Sequence, residues 1–223
     1  MSVSYPDVNK YGANDANLCW AAATANALTW TGWNQEMARS SGLPELDEDG
    51  IYDCLRFLHP RGRGNLGWRP LPAIDWLLKR FNVRVPTINV AQWRSAHDVF
   101  LCESFLGQRD HQCAIFEIAP VNPKADGVDD DLSHVITVYE AENDLLIARN
   151  DPRAAKEAFY YDSDDNQGNN RYIHIKQKGA FREYDKSKQL GVFQFLTENV
   201  SNVKNWYLMS WMSIKANPNA VFH

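Results

Sequence analysis

Residues 17–30, with the sequence NLCWAAATANALTW, carry the strongest helix signal in the chain. The run is rich in Ala, contains no Pro and stops before Gly32. Asp15 and Asn17 precede it and offer side-chain acceptors for the first helical amides. The segment therefore predicts a helix from Leu18 to Trp30, around which the other elements are arranged.

Cys19 falls in the first turn of this predicted helix, which is a favourable place for a reactive thiol. Unpaired amides and the positive end of the helix dipole stabilise an anion there. Because the thiolate and not the thiol is the nucleophile, the position suits nucleophilic catalysis. A structural cysteine buried in an Ala-rich core helix fits the same residues, and this segment alone leaves both interpretations open.

Helical patterns dominate the first half of the chain and strand patterns the second. Apolar residues at helical spacing predict three further helices, Asp49–Leu58, Ala73–Phe81 and Ala91–Phe105. Short runs rich in β-branched and aromatic residues predict strands at Cys113–Ile118, His134–Tyr139, Leu145–Ala148, Ala158–Tyr161, Tyr172–Ile175, Val192–Phe195 and Trp206–Met212. Helices followed by strands indicate the α+β class with an antiparallel sheet. We expect a single domain over 1–223, with a helical half over about 1–110 and a β-rich half over about 111–223.

Composition indicates a globular protein and argues against several partners. The 223 residues are 44% hydrophobic and 23% charged, and the net charge of −5 disfavours nucleic acid or an anionic membrane as the main partner. No apolar run approaches the roughly 20 residues of a membrane span, so we expect a soluble protein without membrane insertion. Residues 1–10 lack the apolar segment of a secretory signal. Export with a signal removed, or by another route, stays open, and neither the compartment nor the oligomeric state is assigned.

The other three cysteines are expected in the core and outside the chemistry. Four cysteines are few for this length and none forms a CxxC pair, which argues against a disulfide framework. Cys102 and Cys113 lie in apolar stretches, where a thiol behaves as a small hydrophobic group. Cys54 is expected on one buried helical face with three apolar residues, Ile51, Leu55 and Leu58.

His134 is the best placed of six histidines to act as a base. A thiolate nucleophile needs a group that takes its proton and later delivers it to the leaving amine, and imidazole suits both steps. His134 opens a predicted strand just after the acidic run 129–131, although a lone histidine in such a place is more often structural. No phosphate-binding loop, HExxH motif or zinc-type spacing occurs, so we expect no metal and no other cofactor.

Three segments of the sequence, Asp7–Ala23, Ser133–Val138 and Tyr161–Asp165, resemble the IdeS/Mac family of bacterial papain-like cysteine peptidases. Asp7–Lys10 and Leu18–Ala23 look like the nucleophile segment of that family, with further matches at Asp15, Asn26, Leu28 and Trp30. Ser133–Val138 is similar to its histidine strand, and Tyr161–Asp165 resembles its aspartate motif. The resemblance implies a papain-like fold, in which the nucleophile helix packs against an antiparallel β-rich half.

The resemblance also implies a role for each matching residue. Cys19 would be the nucleophile and His134 the base that activates it. Asp162 would orient the imidazole and stabilise its cation, with Asp164 as a supporting carboxylate. Lys10 would contribute to the oxyanion hole together with the backbone amide of Cys19.

Two residues nearer to His134 in the sequence compete with Asp162 for the role of orienting its imidazole. If Asn143 and Asp144 form a tight turn, pairing of 135–142 with 145–151 brings Asn150 or Asp151 close to His134. Asp162 is the closer motif match, whereas hairpin geometry favours Asn150 or Asp151. Both assignments stay open at this point.

The resulting hypothesis is a cysteine endopeptidase that hydrolyses peptide bonds in a protein substrate. A thiol acyltransferase or transamidase could use the same residues, because an amine can replace water in the second step. A binding protein that keeps the fold without activity is a further alternative. The sequence does not identify the protein substrate or the cleavage site.

Overall fold

The computed structural model describes residues 5–8, 10, 15, 17–60, 69–84, 111–122, 127–128, 134–141, 155–161, 171–177, 183–185, 188–189, 192–196 and 205–222. The helices are α1 (Cys19–Trp30), α2 (Trp33–Ser41), α3 (Glu48–Asp53), which continues as a π-helical turn (Cys54–Leu58), and α4 (Pro70–Arg80). None of the helices in these ranges is both long and apolar enough to cross a membrane.

The strands are β1 (Cys113–Asn122), β2 (Gly127–Val128), β3 (His134–Ala141), β4 (Ala155–Tyr161), β5 (Arg171–Gln177), β6 (Glu183–Asp185), β7 (Lys188–Gln189), β8 (Val192–Leu196) and β9 (Asn205–Ile214). A seven-stranded antiparallel sheet has the order β2-β1-β3-β4-β5-β8-β9, and β6 pairs with β7 separately. Because β9 also pairs with β1, six of these strands close into a ring. Helices before the sheet strands confirm the predicted α+β class.

α1 lies at the centre of the described core. Every one of its residues except Thr29 is buried, and the helix packs against β1 and β3. Its five Ala side chains are small, which allows the helix axis to approach the strands closely. Trp20 has no exposed surface and fills the space on the side of α3 and α4.

Several boundaries follow from capping chemistry. α1 begins at Cys19, one residue after the predicted start, with Leu18 as its N-cap. α4 begins at Pro70 and not at Ala73, because Pro has the backbone angle of a first helical turn and lacks an amide that would stay unpaired there. The sequence analysis missed α2, although Gly32 and Gly42, both in the left-handed conformation, mark its two ends.

The predicted strands agree with the observed ones wherever the structure describes them. Six of the seven predicted strands lie within β1, β3, β4, β5, β8 and β9. The predicted helix Ala91–Phe105 and the predicted strand Leu145–Ala148 lie outside the described residues.

The helical face predicted around Cys54 is only partly correct. Ile51 and Leu55 are fully buried, but Leu58 is 42% exposed. The chain changes from an α-helix to a π-helical turn at Cys54, and the wider turn rotates later residues away from the face that a regular helix would present. Cys54 itself is half-buried, Cys113 is fully buried as predicted, and Cys102 lies outside the described residues.

Candidate functional site

Contacts between α1 and β3 fix the direction in which the helix crosses the sheet. The Thr137 hydroxyl donates to the Ala23 carbonyl at 3.3 Å. Two residues further along β3, the Tyr139 ring lies edge-on to the Trp30 ring, with 5.3 Å between centroids. From Thr137 to Tyr139 along β3, the contacting residue on α1 therefore changes from Ala23 to Trp30, the last residue of the helix. The helix and the strand run in the same direction.

The neighbouring strand β1 gives the same direction. β1 is antiparallel to β3, and its residue Ala114 pairs with Val138. The Cys113 thiol lies 3.9 Å from the Ala27 carbonyl, and the Trp30 indole N–H donates to the Gln112 carbonyl at 3.1 Å. The start of β1 thus lies beside the second half of α1. The opposite end of the sheet, where β3 begins, lies beside the first half.

The first residues of α1 and β3 are Cys19 and His134. Cys19 precedes Ala23 by four residues, about 6 Å along a helix, and His134 precedes Thr137 by three residues, about 10 Å along a strand. The contact between Thr137 and Ala23 therefore places both first residues at the same end of the helix–sheet layer.

The side of α1 that faces β3 also carries Cys19. Cys19, Ala23, Asn26 and Trp30 are spaced four, three and four residues apart, which places them along one stripe of the helix. Ala23 contacts β3 through its carbonyl, Trp30 contacts it through its ring, and the Asn26 side chain accepts the Val8 amide at 2.9 Å. Cys19 is 8% exposed and belongs to the buried core.

The segment before α1 lies along the same stripe and leads toward Cys19. The Tyr5 ring stacks on Trp30 at 4.8 Å, and three residues later the amide of Val8 is bonded to Asn26. The segment therefore runs antiparallel to α1. Lys10, which is partly buried, follows Val8 by two residues in the sequence.

The predicted carboxylates Asp162 and Asp164 lie outside the described residues, as do Asn150 and Asp151. The strand order of the sheet nevertheless tests the hairpin on which the assignment of Asn150 or Asp151 depended. β3 lies between β1 and β4, and its residues Thr137–Ala141 pair with β4. The predicted hairpin of 135–142 with 145–151 is therefore wrong, because β4 occupies the edge of β3 that the hairpin needs.

Asp15 makes contacts that the sequence analysis did not predict. Its carboxylate, expected to accept helical amides, accepts from the Tyr52 hydroxyl at 3.1 Å and pairs with Arg56 at 3.0 Å. Its backbone carbonyl accepts the Leu18 amide at 2.9 Å. The spacing of Tyr52 and Arg56, four residues apart on one helix, was the available signal, but the sequence did not show what faced them.

The environments of the other described thiols disfavour reaction. Burial raises the pKa of the Cys54 thiol, with a smaller opposing effect from the nearby Arg80. Complete burial raises the pKa of the Cys113 thiol far more. Both cysteines are therefore protonated at neutral pH, and protonated thiols are poor nucleophiles.

Comparison of the chain with protein-family models, with curated proteins and with solved structures gave no match.

Proposed function

We propose that the protein is a papain-like cysteine peptidase in which Cys19 is the nucleophile and His134 the base. One observation carries the proposal: Cys19 lies on the stripe of α1 that faces β3, and the helix and strand run in the same direction, with Cys19 and His134 as their first residues. A thiol–imidazole pair requires the two groups to come within hydrogen-bond reach, and first residues at the same end of the helix–sheet layer are compatible with that requirement.

The reaction proceeds in two steps. The Cys19 proton passes to His134, the sulfur attacks the peptide carbonyl, and a carbon–sulfur bond forms. The oxyanion is stabilised by the Cys19 amide and the Lys10 ammonium, and His134 gives its proton to the departing amine as the carbon–nitrogen bond breaks. Water then loses a proton to His134 and attacks the thioester, which releases the acid and returns the proton to the Cys19 sulfur.

The course of the neighbouring segments supports roles for Lys10 and Asp162. The segment before α1 runs antiparallel to the helix between Tyr5 and Val8, and Lys10 follows Val8 by two residues. Tyr161 ends β4 opposite Thr137, three residues from His134, and Asp162 follows it in the chain. Under the proposal, the Asp162 carboxylate orients the imidazole, with Asp164 as its support.

Side chains alternate in direction along β3, and this alternation bears on whether the His134 ring can face Cys19. Thr137 and Tyr139 direct their side chains to α1, so in an ideal strand His134 would share the opposite side with Ile136 and Val138. As the first residue of the strand, His134 is paired with Ile118 of β1. The proposal requires its ring to turn around the start of β3 toward Cys19.

The rate of Cys19 alkylation tests this pair directly. Iodoacetamide should modify Cys19 faster than it modifies a free cysteine at pH 6 to 7, and His134→Ala should slow the modification by about tenfold or more. His111→Asn is the matched control, because His111 is also partly buried but lies against Trp30, at the other end of α1. A Cys19 that reacts no faster than a free thiol, with a rate unaffected by His134→Ala, contradicts the enzyme proposal.

Mapping of new amino termini tests the reaction itself. Incubation of the protein with a complex proteome should generate new termini that are absent with Cys19→Ala but present with Cys54→Ser, which alters a half-buried thiol outside the site. Transfer of acyl groups to added amines in place of hydrolysis would favour the acyltransferase alternative. Rapid alkylation of Cys19 without any product would favour a binding protein.

A further inference from the structure

A buried ion pair lies immediately before the helix that carries Cys19. The Asp15 carboxylate accepts a hydrogen bond from the Tyr52 hydroxyl at 3.1 Å, and its other oxygen lies 3.0 Å from Nε of Arg56. The side chains of Asp15 and Arg56 are 3% and 18% exposed, so solvent screens little of their attraction. Tyr52 and Arg56 lie one turn apart on α3 and the π-helical turn that continues it.

The backbone of Asp15 is joined directly to the first turn of α1. Its carbonyl accepts the Leu18 amide at 2.9 Å, and the Leu18 carbonyl accepts the Ala21 and Ala22 amides at 2.9 Å and 3.1 Å. Cys19 is the next residue in the chain after Leu18. A displacement of Asp15 is therefore passed to the first turn, and the side chain of Asp15 is fixed by a different helix.

The segment that carries Tyr52 and Arg56 also contacts Trp20, the residue that follows Cys19 in the sequence. The His59 ring lies edge-on to the Trp20 ring at 5.4 Å and to the Trp76 ring at 4.9 Å, and His59 is buried. Its amide donates to the Cys54 carbonyl at 3.2 Å, which closes the π-helical turn. The segment 52–59 thus contacts the chain four residues before Cys19 and one residue after it.

A buried ion pair is better suited to fixing one arrangement than to raising stability. Its Coulomb attraction is largely offset by the loss of hydration, whereas separation of the two charges inside the protein is strongly unfavourable. We propose that Asp15 and Arg56 are positioning residues, which hold the first turn of α1 so that the Cys19 sulfur is aligned for attack. This inference rests on the proposed function, because it gives the ion pair a role in the reactivity of Cys19.

Nucleophilic attack is sensitive to small displacements of the attacking atom. A misplacement of about 1 Å can slow a reaction by about 10²-fold. Asp15→Asn preserves the size of the side chain and an acceptor for Tyr52 but removes the charge that pairs with Arg56. We expect the alkylation rate of Cys19 to fall by about tenfold or more, and the pH profile of alkylation to change.

The control is the same chemical change at an exposed ion pair. Asp75 and Lys79 are joined at 2.6 Å on α4, with side chains 59% and 74% exposed. Asp75→Asn should leave the rate and pH profile of Cys19 alkylation unchanged. At Arg56, Arg56→Lys retains the charge and should keep most of the rate, whereas Arg56→Met should lose about as much as Asp15→Asn.

All rates are measured by peptide mass spectrometry, in conditions where circular dichroism shows each variant to be folded. If wild-type Cys19 reacts like a free thiol, the proposed function fails before any variant is compared. If wild-type Cys19 reacts rapidly and the folded Asp15→Asn variant keeps its rate and pH profile, the positioning role is overturned while the enzyme proposal stands. If Asp15→Asn does not fold, equal rates for folded Arg56→Lys and Arg56→Met overturn the positioning role.

Discussion

Replacement of Gly32 by Ala should destabilise the protein more than the same replacement at Gly42. Both glycines have left-handed backbone angles, with φ of 73° and 70°, where Ala costs about 1–2 kcal/mol. A Cβ at Gly42 would meet nothing within 4 Å. A Cβ at Gly32 would overlap the Cβ of Ala220 and lie 3.2 Å from the Phe222 ring, which adds about 1–3 kcal/mol.

The expected loss in unfolding free energy is thus about 2–5 kcal/mol for Gly32→Ala and about 1–2 kcal/mol for Gly42→Ala. Urea denaturation followed by Trp fluorescence measures both, and a common slope shows that only stability has changed. The double variant Gly32→Ala/Ala220→Gly should recover the part of the loss due to overlap. Equal losses at the two glycines would refute the packing of the C-terminal segment against the corner between α1 and α2.

Two further predictions concern ionisable groups. Burial lowers the pKa of His111, opposed in part by a backbone hydrogen bond to Trp30, so the unfolded chain binds this proton more readily and stability should fall as the pH drops below about 6.5. His111→Asn, which suits the φ of 46° at this position, should flatten that dependence in denaturation midpoints measured over about pH 7 to 5. In the wild-type protein, brief treatment with iodoacetamide should label Cys19 before Cys54 and Cys113, whose pKa values are raised by burial. Labelling of Cys54 first would contradict the assignment of Cys19 as the reactive thiol.

Local patterns predicted the elements that carry the candidate pair. The Ala-rich run of α1 and the β-branched run of β3 each have a strong local preference, and both elements formed within two residues of the predicted ends. Their mutual direction could not be predicted in this way. It depends on contacts such as Thr137 with Ala23, which are distant in sequence.

The missed features share a physical cause. Leu58 was expected in the core because a regular helix would place it there, but the π-helical turn changes the spacing. Asp15 was expected to accept helical amides because it precedes a helix, yet two of its contacts are with Tyr52 and Arg56. At Leu58 the local rule was overridden by the π-helical turn, and at Asp15 packing added partners that local patterns cannot place.

The capping of α1 connects the fold to the proposed chemistry. Leu18, the N-cap residue of α1, has no side chain that could accept a hydrogen bond, and its amide donates to the Asp15 carbonyl at 2.9 Å. The first four amides of a helix have no acceptor within that helix. An oxyanion formed at the carbonyl that Cys19 attacks would supply that acceptor next to the sulfur. Under the proposed function, the Cys19 amide would donate to that oxyanion, and this role is compatible with a helix start that has no side-chain cap at Leu18.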